Sequence, residues 1–398
     1  MRIIHTSDWH LGQHFMGKSR AAEHKAFLDW LLEQVAEHRV DAVIVAGDVF
    51  DTGAPPSYAR ELYNQFIVQM QAQGARLVIL GGNHDSVATL GESRELLACL
   101  NTQVIPGGLS GPEQHLIELE DRQGQPGALL CAIPFLRARD LLASEAGQSG
   151  QDKQAALTQA IADRYRAVFE LAQARNKASQ NKLPILATGH LTTVGARSSE
   201  SVRDIYIGTL DAFPASAFPE ADYIALGHLH KAQKVAGSEH IRYCGSPIPL
   251  SFDEAGQQKQ VLLVAFDQGA LQSVSALAVP LFQPLASLKG ELEALGEQIR
   301  ALPPGSWLEV EVTGQDYLSD LQARVQALCE GIEVELLRVR RSRSGERQLA
   351  AEAKETLADL NPTEVFERRL AAEQLEPALA GELRSRFSTV LSELENDA

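Results

Sequence analysis

The chain has 398 residues, room for two or three domains, and its 44 % hydrophobic content is that of an ordinary globular protein. A formal net charge of −16 argues against a free-standing nucleic-acid binder held by basic surface, but permits one that reaches phosphates through metal ions or a positively charged partner. Cys99, Cys131, Cys244 and Cys329 stand far apart with no Cys-x-x-Cys, so neither a disulfide framework nor a thiolate zinc site is suggested; with no apolar signal core or membrane-length run, a reduced, cytoplasmic protein is expected.

A short strand from Arg2 to His5 runs into Thr6-Ser7-Asp8-Trp9-His10-Leu11-Gly12. Asp8 and His10, two apart on extended backbone, point to one side and can face one ion. A helix is predicted from Ala21 to His38, with Phe27, Leu28, Leu31, Leu32 and Val35 as its apolar stripe. The strand from Asp41 to Ala46 ends in Gly47-Asp48-Val49-Phe50-Asp51. After a second helix, Ser57 to Gln73, the apolar run Arg76 to Leu80 ends in Gly82-Asn83-His84-Asp85. That last loop holds a neutral oxygen ligand, an imidazole able to move protons and a carboxylate able to fix the imidazole's tautomer. Gly47 and Gly82 let the backbone turn tightly and leave room for an ion. A further helix is expected from Glu92 to Leu100.

From Gln114 to Ile133 the pattern alternates around Asp121-Arg122-Gln123-Gly124, a hairpin signal. The Gln-, Ala- and Ser-rich stretch from Ser144 to Lys182 reads as one long helix with poorly packed flanks, a surface insertion. The strand Leu183 to Thr188 delivers Gly189-His190, and Asp222 to Leu226 delivers Gly227-His228-Leu229-His230. Arg242 to Phe252 and Gln260 to Phe266 read as strands closing a second sheet. His5, His14, His24, His38, His115 and His240 lie outside these loops and read as surface or packing residues.

Beyond Pro280, strands at Leu285 to Leu288, Leu308 to Val312 and Val334 to Val339 alternate with helices at Gly290 to Ala301 and Tyr317 to Cys329, a small α+β module. Arg338, Arg340, Arg341, Arg343 and Arg347 form the densest basic cluster, read either as a solvated edge or as a contact for DNA phosphates. In the tail, Asn361, Pro362 and Glu364 start a helix, and Val365, Phe366, Leu370, Leu379, Leu383, Phe387, Val390, Leu391 and Leu394 draw an apolar stripe suited to a partner.

The candidate ligands are thus Asp8, His10, Asp48, Asn83, His190, His228 and His230, with His84 beside them. Imidazoles and hard carboxylates without thiolate suit Mn²⁺, Fe²⁺ or Zn²⁺ better than Ca²⁺. The set exceeds one tetrahedral site and suits two ions about 3.5–4 Å apart, bridged by a carboxylate.

In order and spacing, these loops resemble the calcineurin-like metallophosphoesterase superfamily. On Asp8-Trp9-His10-Leu11-Gly12, Asn83-His84-Asp85-Ser86, Gly245-Ser246-Pro247 and the tail, the chain resembles within it the SbcD-type nuclease subunits. The resemblance implies an α/β fold: a layered αββα sandwich (1–279), a small α+β capping domain (280–347) and C-terminal helices (348–398). It implies one ion on Asp8, His10 and His230, another on Asn83, His190 and His228, and Asp48 bridging them, with Mn²⁺ as the favoured metal. His84 would protonate the leaving sugar oxygen, with Asp51 and Asp85 orienting it or its loop. It further implies DNA as substrate, with 3′-to-5′ exonuclease and hairpin or single-strand endonuclease action. The tail would bind an SbcC-type SMC-like ATPase subunit, in a heterotetramer built on a homodimer, with no membrane. A small-molecule phosphodiesterase and a DNA-end-tethering subunit are the alternatives.

Overall fold

The structure, a computed structural model, describes residues 1–108, 111–142, 149–179, 182–202, 212–313 and 320–341, with residues 366, 370, 381, 383, 384, 386 and 387. In chain order, β1 (Arg2–Thr6) leads through the ribbon β2 (His14–Phe15) and β3 (Lys18–Ser19) to α1 (Ala21–Glu37), β4 (Ala42–Ala46), α2 (Ser57–Gln73) and β5 (Arg76–Leu80). The short helices α3 (Val87–Gly91) and α4 (Arg94–Ala98) precede β6 (Thr102–Ile105), β7 (Leu116–Glu120), β8 (Pro126–Cys131) and α5 (Ala138–Leu141). Then come α6 (Gly150–Ser179), β9 (Ile185–His190), β10 (Tyr223–Gly227), β11 (Gln233–Lys234), β12 (Ile241–Tyr243), β13 (Gln260–Asp267) and β14 (Ala270–Ala278). Last are β15 (Leu285–Gly290), α7 (Leu292–Arg300), β16 (Ser306–Val312), α8 (Leu321–Leu328) and β17 (Val334–Arg341). Among the described residues, no helix is long and apolar enough to cross a membrane.

Two six-stranded sheets, ordered β14-β13-β1-β4-β5-β6 and β11-β12-β10-β9-β8-β7, pack face to face. β4 and β5 are apolar on both faces because both are covered. Outward, Val43, Val45, Leu77 and Ile79 meet Phe27, Leu31 and Val35 of α1 and Phe66, Ile67 and Met70 of α2. Inward, Ile44, Val78 and Leu80 meet Leu119, Leu130, Leu186 and Tyr223 of the other sheet. The predicted αββα layering is present.

The outer layer of the second sheet departs from the sequence reading. α6 is not a surface insertion: Leu157, Ile161, Tyr165, Val168 and Ala172 bury a stripe against Leu129, Ala187, Ile224 and Leu226. The Tyr165 hydroxyl donates to the Thr188 carbonyl at 2.8 Å. The polar remainder of this helix masked a stripe at true helical spacing. The expected extension of this sheet by Gln260 to Phe266 is also corrected. β13 pairs antiparallel with β1 in the first sheet, Arg2 opposite Ala265, and covers what would be an open edge. It turns into β14 through Gln268 (φ 50°) and Gly269 (φ 77°), a two-residue turn with both residues left-handed. β12 stops at Tyr243, just before Gly245, whose left-handed backbone (φ 80°) leaves the extended conformation. The helix expected from Glu92 to Leu100 is present as the shorter α4, and α3, capped by the Ser86 hydroxyl, precedes it.

The third sheet, β15-β16-β17, is parallel and carries α7 and α8 over a core of Leu295, Ile299, Leu308, Val310 and Val325. Trp307 stacks on Phe15 (ring centroids 5.8 Å apart, 7° between planes), and Lys18 pairs with Glu335, fastening this sheet to the ribbon β2–β3. Arg338 and Arg340 both pair with Glu309, and Arg340 also lies 3.7 Å from Glu200. Arg338 and Arg340 are therefore engaged within the fold; Arg343 and Arg347 lie outside the described residues. The chain divides into the units Met1–Ser342 and Arg343–Ala398. In the second, the Phe366 and Phe387 rings stack at 3.9 Å. The predicted cap of Asn361, Pro362 and Glu364, and the stripe residues Val365, Leu379, Val390, Leu391 and Leu394, lie outside the described residues.

Ile161→Ala distinguishes a core layer from an insertion. Truncating this fully buried side chain is expected to cost about 2–5 kcal/mol by chemical denaturation. A change within about 0.5 kcal/mol is what an exposed insertion would give.

Candidate metal centre

β1, β4 and β5 of one sheet and β9 and β10 of the other bring their carboxyl ends to a common edge, and their loops carry every candidate ligand. The loops are laced together by backbone. Asp8 N–H donates to the Gly47 carbonyl (3.0 Å) and His10 N–H to the Asp48 carbonyl (3.1 Å). Asp8 (φ 56°), His10 (φ 47°), Asp48 (φ 51°) and His228 (φ 94°) are all left-handed, which costs on the order of 1–3 kcal/mol each. Strain concentrated on these residues marks a built site rather than ordinary turns.

The space beside the glycines is occupied by side chains rather than left for an ion. A Cβ on Gly82 would lie 2.1 Å from Asp48 Oδ1, and one on Gly47 would lie 2.2 Å from His190 Nδ1.

Three groups form, each with potential ligand atoms within 4.8 Å of one another: Asp8, His10 and His230; Asp48, His190 and His228; and His10, Asp48 and His84. Asp8, His10, Asp48, His190, His228 and His230 are each no more than 2 % exposed. Asn83 Oδ1 lies 2.9 Å from His190 Nε2 and 3.1 Å from His228 Nδ1, so the predicted ligands are brought together. Asp48 Oδ2 stands 3.2 Å from His190 Nε2 and 3.6 Å from His10 Nε2, between the groups.

The chemistry of this donor set calls for a cation. His190 donates its Nδ1 proton to the Ala46 carbonyl at 2.9 Å, so neutral His190 presents an Nε2 lone pair. That lone pair faces the Asn83 side-chain amide and the Asp48 carboxylate, an arrangement that a metal ion satisfies. Among the described residues, His10 Nε2 and His228 Nε2 are buried without a hydrogen-bond partner. Burial pulls the His190 pKa down, but the Asp48 carboxylate overrides it and pushes it up to about 9. Asp48 opposes its own burial through the neighbouring His190 and is held well below the usual carboxylate range. Burial and the neighbouring His190 drive His228 down. The directions for Asp48 and His190 both mark the space between them as one that favours positive charge.

The remaining predicted site residues have separate places. His84 donates its backbone N–H to Asp48 Oδ1 (2.9 Å), and its Nδ1 lies 2.7 Å from the Asp51 carbonyl. The Asp51 carboxylate lies 3.2 Å from His10 Nδ1, holding that ring rather than His84. Asp85 accepts from the backbone N–H groups of Val49 (3.1 Å), Phe50 (2.9 Å) and Gly82 (2.8 Å), clamping two loops together. Burial and Asp48 push its pKa up to about 6 despite those donors. Of the histidines read as packing or surface, His5, His24 and His115 are buried. His14 and His240 are exposed, and His38 is half-buried. Burial pushes His5 and His24 down to about 3.

Sequence reasoning missed the groups behind the ligands. Ser7 donates to Asp8 Oδ2 at 2.5 Å, and Ser201 and Glu254 lie 2.6 and 3.3 Å from His230 Nδ1. For Glu254 the one signal was the nearby Gly245-Ser246-Pro247 motif, and Ser201 had none.

Residues 1–232 match the calcineurin-like phosphoesterase family, which implies divalent metal binding. Residues 281–374 match a family described as the type 5 capsule protein repressor C-terminal domain. The SbcD subunit of the SbcCD nuclease of Escherichia coli K12 is 56 % identical over 403 residues, spanning 100 % of this chain and 99 % of that one. Its namesakes from Rhodobacter capsulatus and Bacillus subtilis are 34 % and 30 % identical, over 92 % and 80 % of this chain and 93 % and 81 % of theirs. With that likeness along its whole length and its candidate ligands on the loops of a calcineurin-like sandwich, the chain belongs to the SbcD family of nuclease subunits.

Proposed function

We propose that this chain is the metal-dependent nuclease subunit of an SbcCD-type complex and hydrolyses DNA phosphodiester bonds at the centre described above. The observation that carries this reading is the convergence of Asp8, His10, Asp48, Asn83, His190, His228 and His230 from separate loops into neighbouring groups of potential ligand atoms. Asp8, His10 and His230 would hold one ion, Asn83, His190 and His228 a second, and Asp48 would be shared by both. Imidazoles with hard carboxylates favour Mn²⁺. When bound, two such ions supply charge neutralisation at the scissile phosphate and acidify the attacking water.

The protein's own groups do the rest. His84 is fixed by its backbone bond to Asp48 and donates its Nδ1 proton to the Asp51 carbonyl, so it serves as an acid in the imidazolium form, whose second proton sits on Nε2. It delivers that proton to the leaving sugar oxygen as the P–O bond breaks. Asp51 orients His10, and Asp85 keeps the Asp48 and Asn83 loops in register.

The reading extends to organisation. The catalytic sandwich is assigned to 1–279, the DNA-capping module to 280–347 and the helices that bind the SbcC-type ATPase to 348–398. Exonuclease action from 3′ to 5′, endonuclease action on hairpins, coupling to the partner's ATP cycle and a homodimeric assembly in the cytoplasm follow the same family logic.

Incubation of the chain with Mn²⁺ and an end-labelled DNA hairpin, with and without the ATPase subunit, is the direct test. Asp48→Ala is expected to lower cleavage at least about 10²-fold, and retained cleavage sinks the centre. Turnover of a small phosphodiester with DNA untouched would instead favour a small-molecule phosphodiesterase. His84→Gln is expected to keep Mn²⁺ binding and lose about 10²–10⁴ in turnover; normal turnover removes it as the acid. Because a proton on His190 must leave before an ion is bound, apparent Mn²⁺ affinity should climb as pH rises toward about 9, by up to about tenfold per unit. Calorimetric titrations at several pH values check this, and a flat profile contradicts it.

A further inference from the structure

His230 differs from the other candidate ligands in what stands behind it. His190 leans on a backbone carbonyl and His10 on the half-exposed Asp51, whereas His230 leans on a buried charge pair. Glu254, at the end of the single turn Phe252–Glu254, is fully buried. Its Oε2 accepts from Lys259 Nζ (2.6 Å), the Leu250 N–H (3.0 Å) and Ser246 Oγ (3.3 Å). Its Oε1 accepts from Ser201 Oγ (2.5 Å) and Ser199 Oγ (2.7 Å). Lys259 also donates to the His230 carbonyl at 3.0 Å, so the pair grips this residue by ring and backbone together.

The proton directions are forced. An ionised carboxylate only accepts, so the Ser201 hydrogen points to Glu254 and its oxygen lone pair faces His230 Nδ1 at 2.6 Å. Nδ1 must then carry the ring proton, which leaves Nε2 as the nitrogen with a lone pair. That is the tautomer a metal ligand needs, and a carboxylate behind the ring also raises its basicity. A buried ion pair is weak as a stabilising device, since an apolar pair of the same volume avoids the desolvation cost. Its presence here is accounted for by orientation.

We infer that Glu254, anchored by Lys259 and acting through the Ser201 hydroxyl, is the positioning residue that sets the tautomer and orientation of His230 as a metal ligand. This rests on the proposed assignment of His230 to the centre.

The experiment measures Mn²⁺ loading by calorimetry and imidazole ¹⁵N shifts by NMR on the full chain. The variants are Ser201→Ala, Ser201→Thr and the double variant Glu254→Gln with Lys259→Met, which leaves no lone buried charge. Ser201→Ala and the double variant are expected to weaken one of the two Mn²⁺ sites about 10- to 100-fold and leave the other unchanged. The His230 ¹⁵N signals are expected to lose the Nδ1–H signature, and Ser201→Thr, which keeps the hydroxyl, to restore both readouts. Should the double variant not fold, Ser201→Ala decides, because it leaves the ion pair intact. Two sites loaded as tightly as in the parent chain, with unchanged ¹⁵N shifts in folded Ser201→Ala, overturn the inference. A parent chain that binds fewer than two Mn²⁺ ions would instead overturn the assignment of the centre itself.

Discussion

A carboxylate with almost no solvent, Asp48, is the constraint on which the catalytic half of this molecule depends. A buried anion must be matched by positive charge or be neutralised, and the desolvation cost of failing to do so is several kcal/mol. Here the matching charge has to be a cation or a borrowed proton, because Asp48 is ringed by imidazoles and an amide oxygen rather than by Lys or Arg. The left-handed backbone at Asp8, His10, Asp48 and His228 and the close approach at Gly82 are what it takes to aim those groups at one point. The strain is supported by packing: Trp9 and Leu11, flanking the strained His10, are fully buried.

The layered fold makes that aim possible. A single parallel sheet offers loops from neighbouring strands only, and its switch point gathers few side chains. Two sheets stacked face to face double the supply, since β4 of one and β9 and β10 of the other end side by side. His190 crosses from the second sheet to bond the Ala46 carbonyl of the first. The His228 N–H crosses in the same way to Asp8 Oδ1 at 2.9 Å. These cross-sheet bonds mean that the inner core of Ile44, Leu80, Leu186 and Ala225 sets the spacing of the site as well as the stability of the fold.

What could be read from the sequence follows from where information is local. Each ligand loop lay directly after an apolar run and a turn residue, so the candidate ligands and their order were legible, and so were the hairpin at Asp121 and the α+β module. The role of α6 was not, because a helix that covers a sheet needs only one apolar stripe, and its polar residues outnumber that stripe. The pairing of β13 with β1 joins opposite ends of the chain, and no local pattern specifies such a partner. The same holds for Glu254 and Lys259, whose importance lies in reaching His230 across the fold. Asp85 was legible as a site residue but not as a clamp, since its partners, the N–H groups of Val49 and Phe50, belong to another loop.

The third sheet and the candidate metal centre meet at one short stretch of backbone, Phe252–Glu254. Phe252 packs with Phe15 and Leu285, next to Trp307 and Leu337 of the third sheet, and the Arg338 guanidinium sits 5.6 Å over its ring. Two residues on, Glu254 reaches His230 through Ser201. Arg338 and Arg340 are occupied with Glu309, and the chain carries a net charge of −16, so its own surface offers a polyanion little attraction. On the proposed reading, attraction for DNA must come from the bound cations and from the ATPase partner, while the cap contributes shape and alignment. On that reading an acidic subunit alone would meet DNA weakly, and a partner that brings the duplex to the edge where the ligand loops meet would supply what this surface lacks.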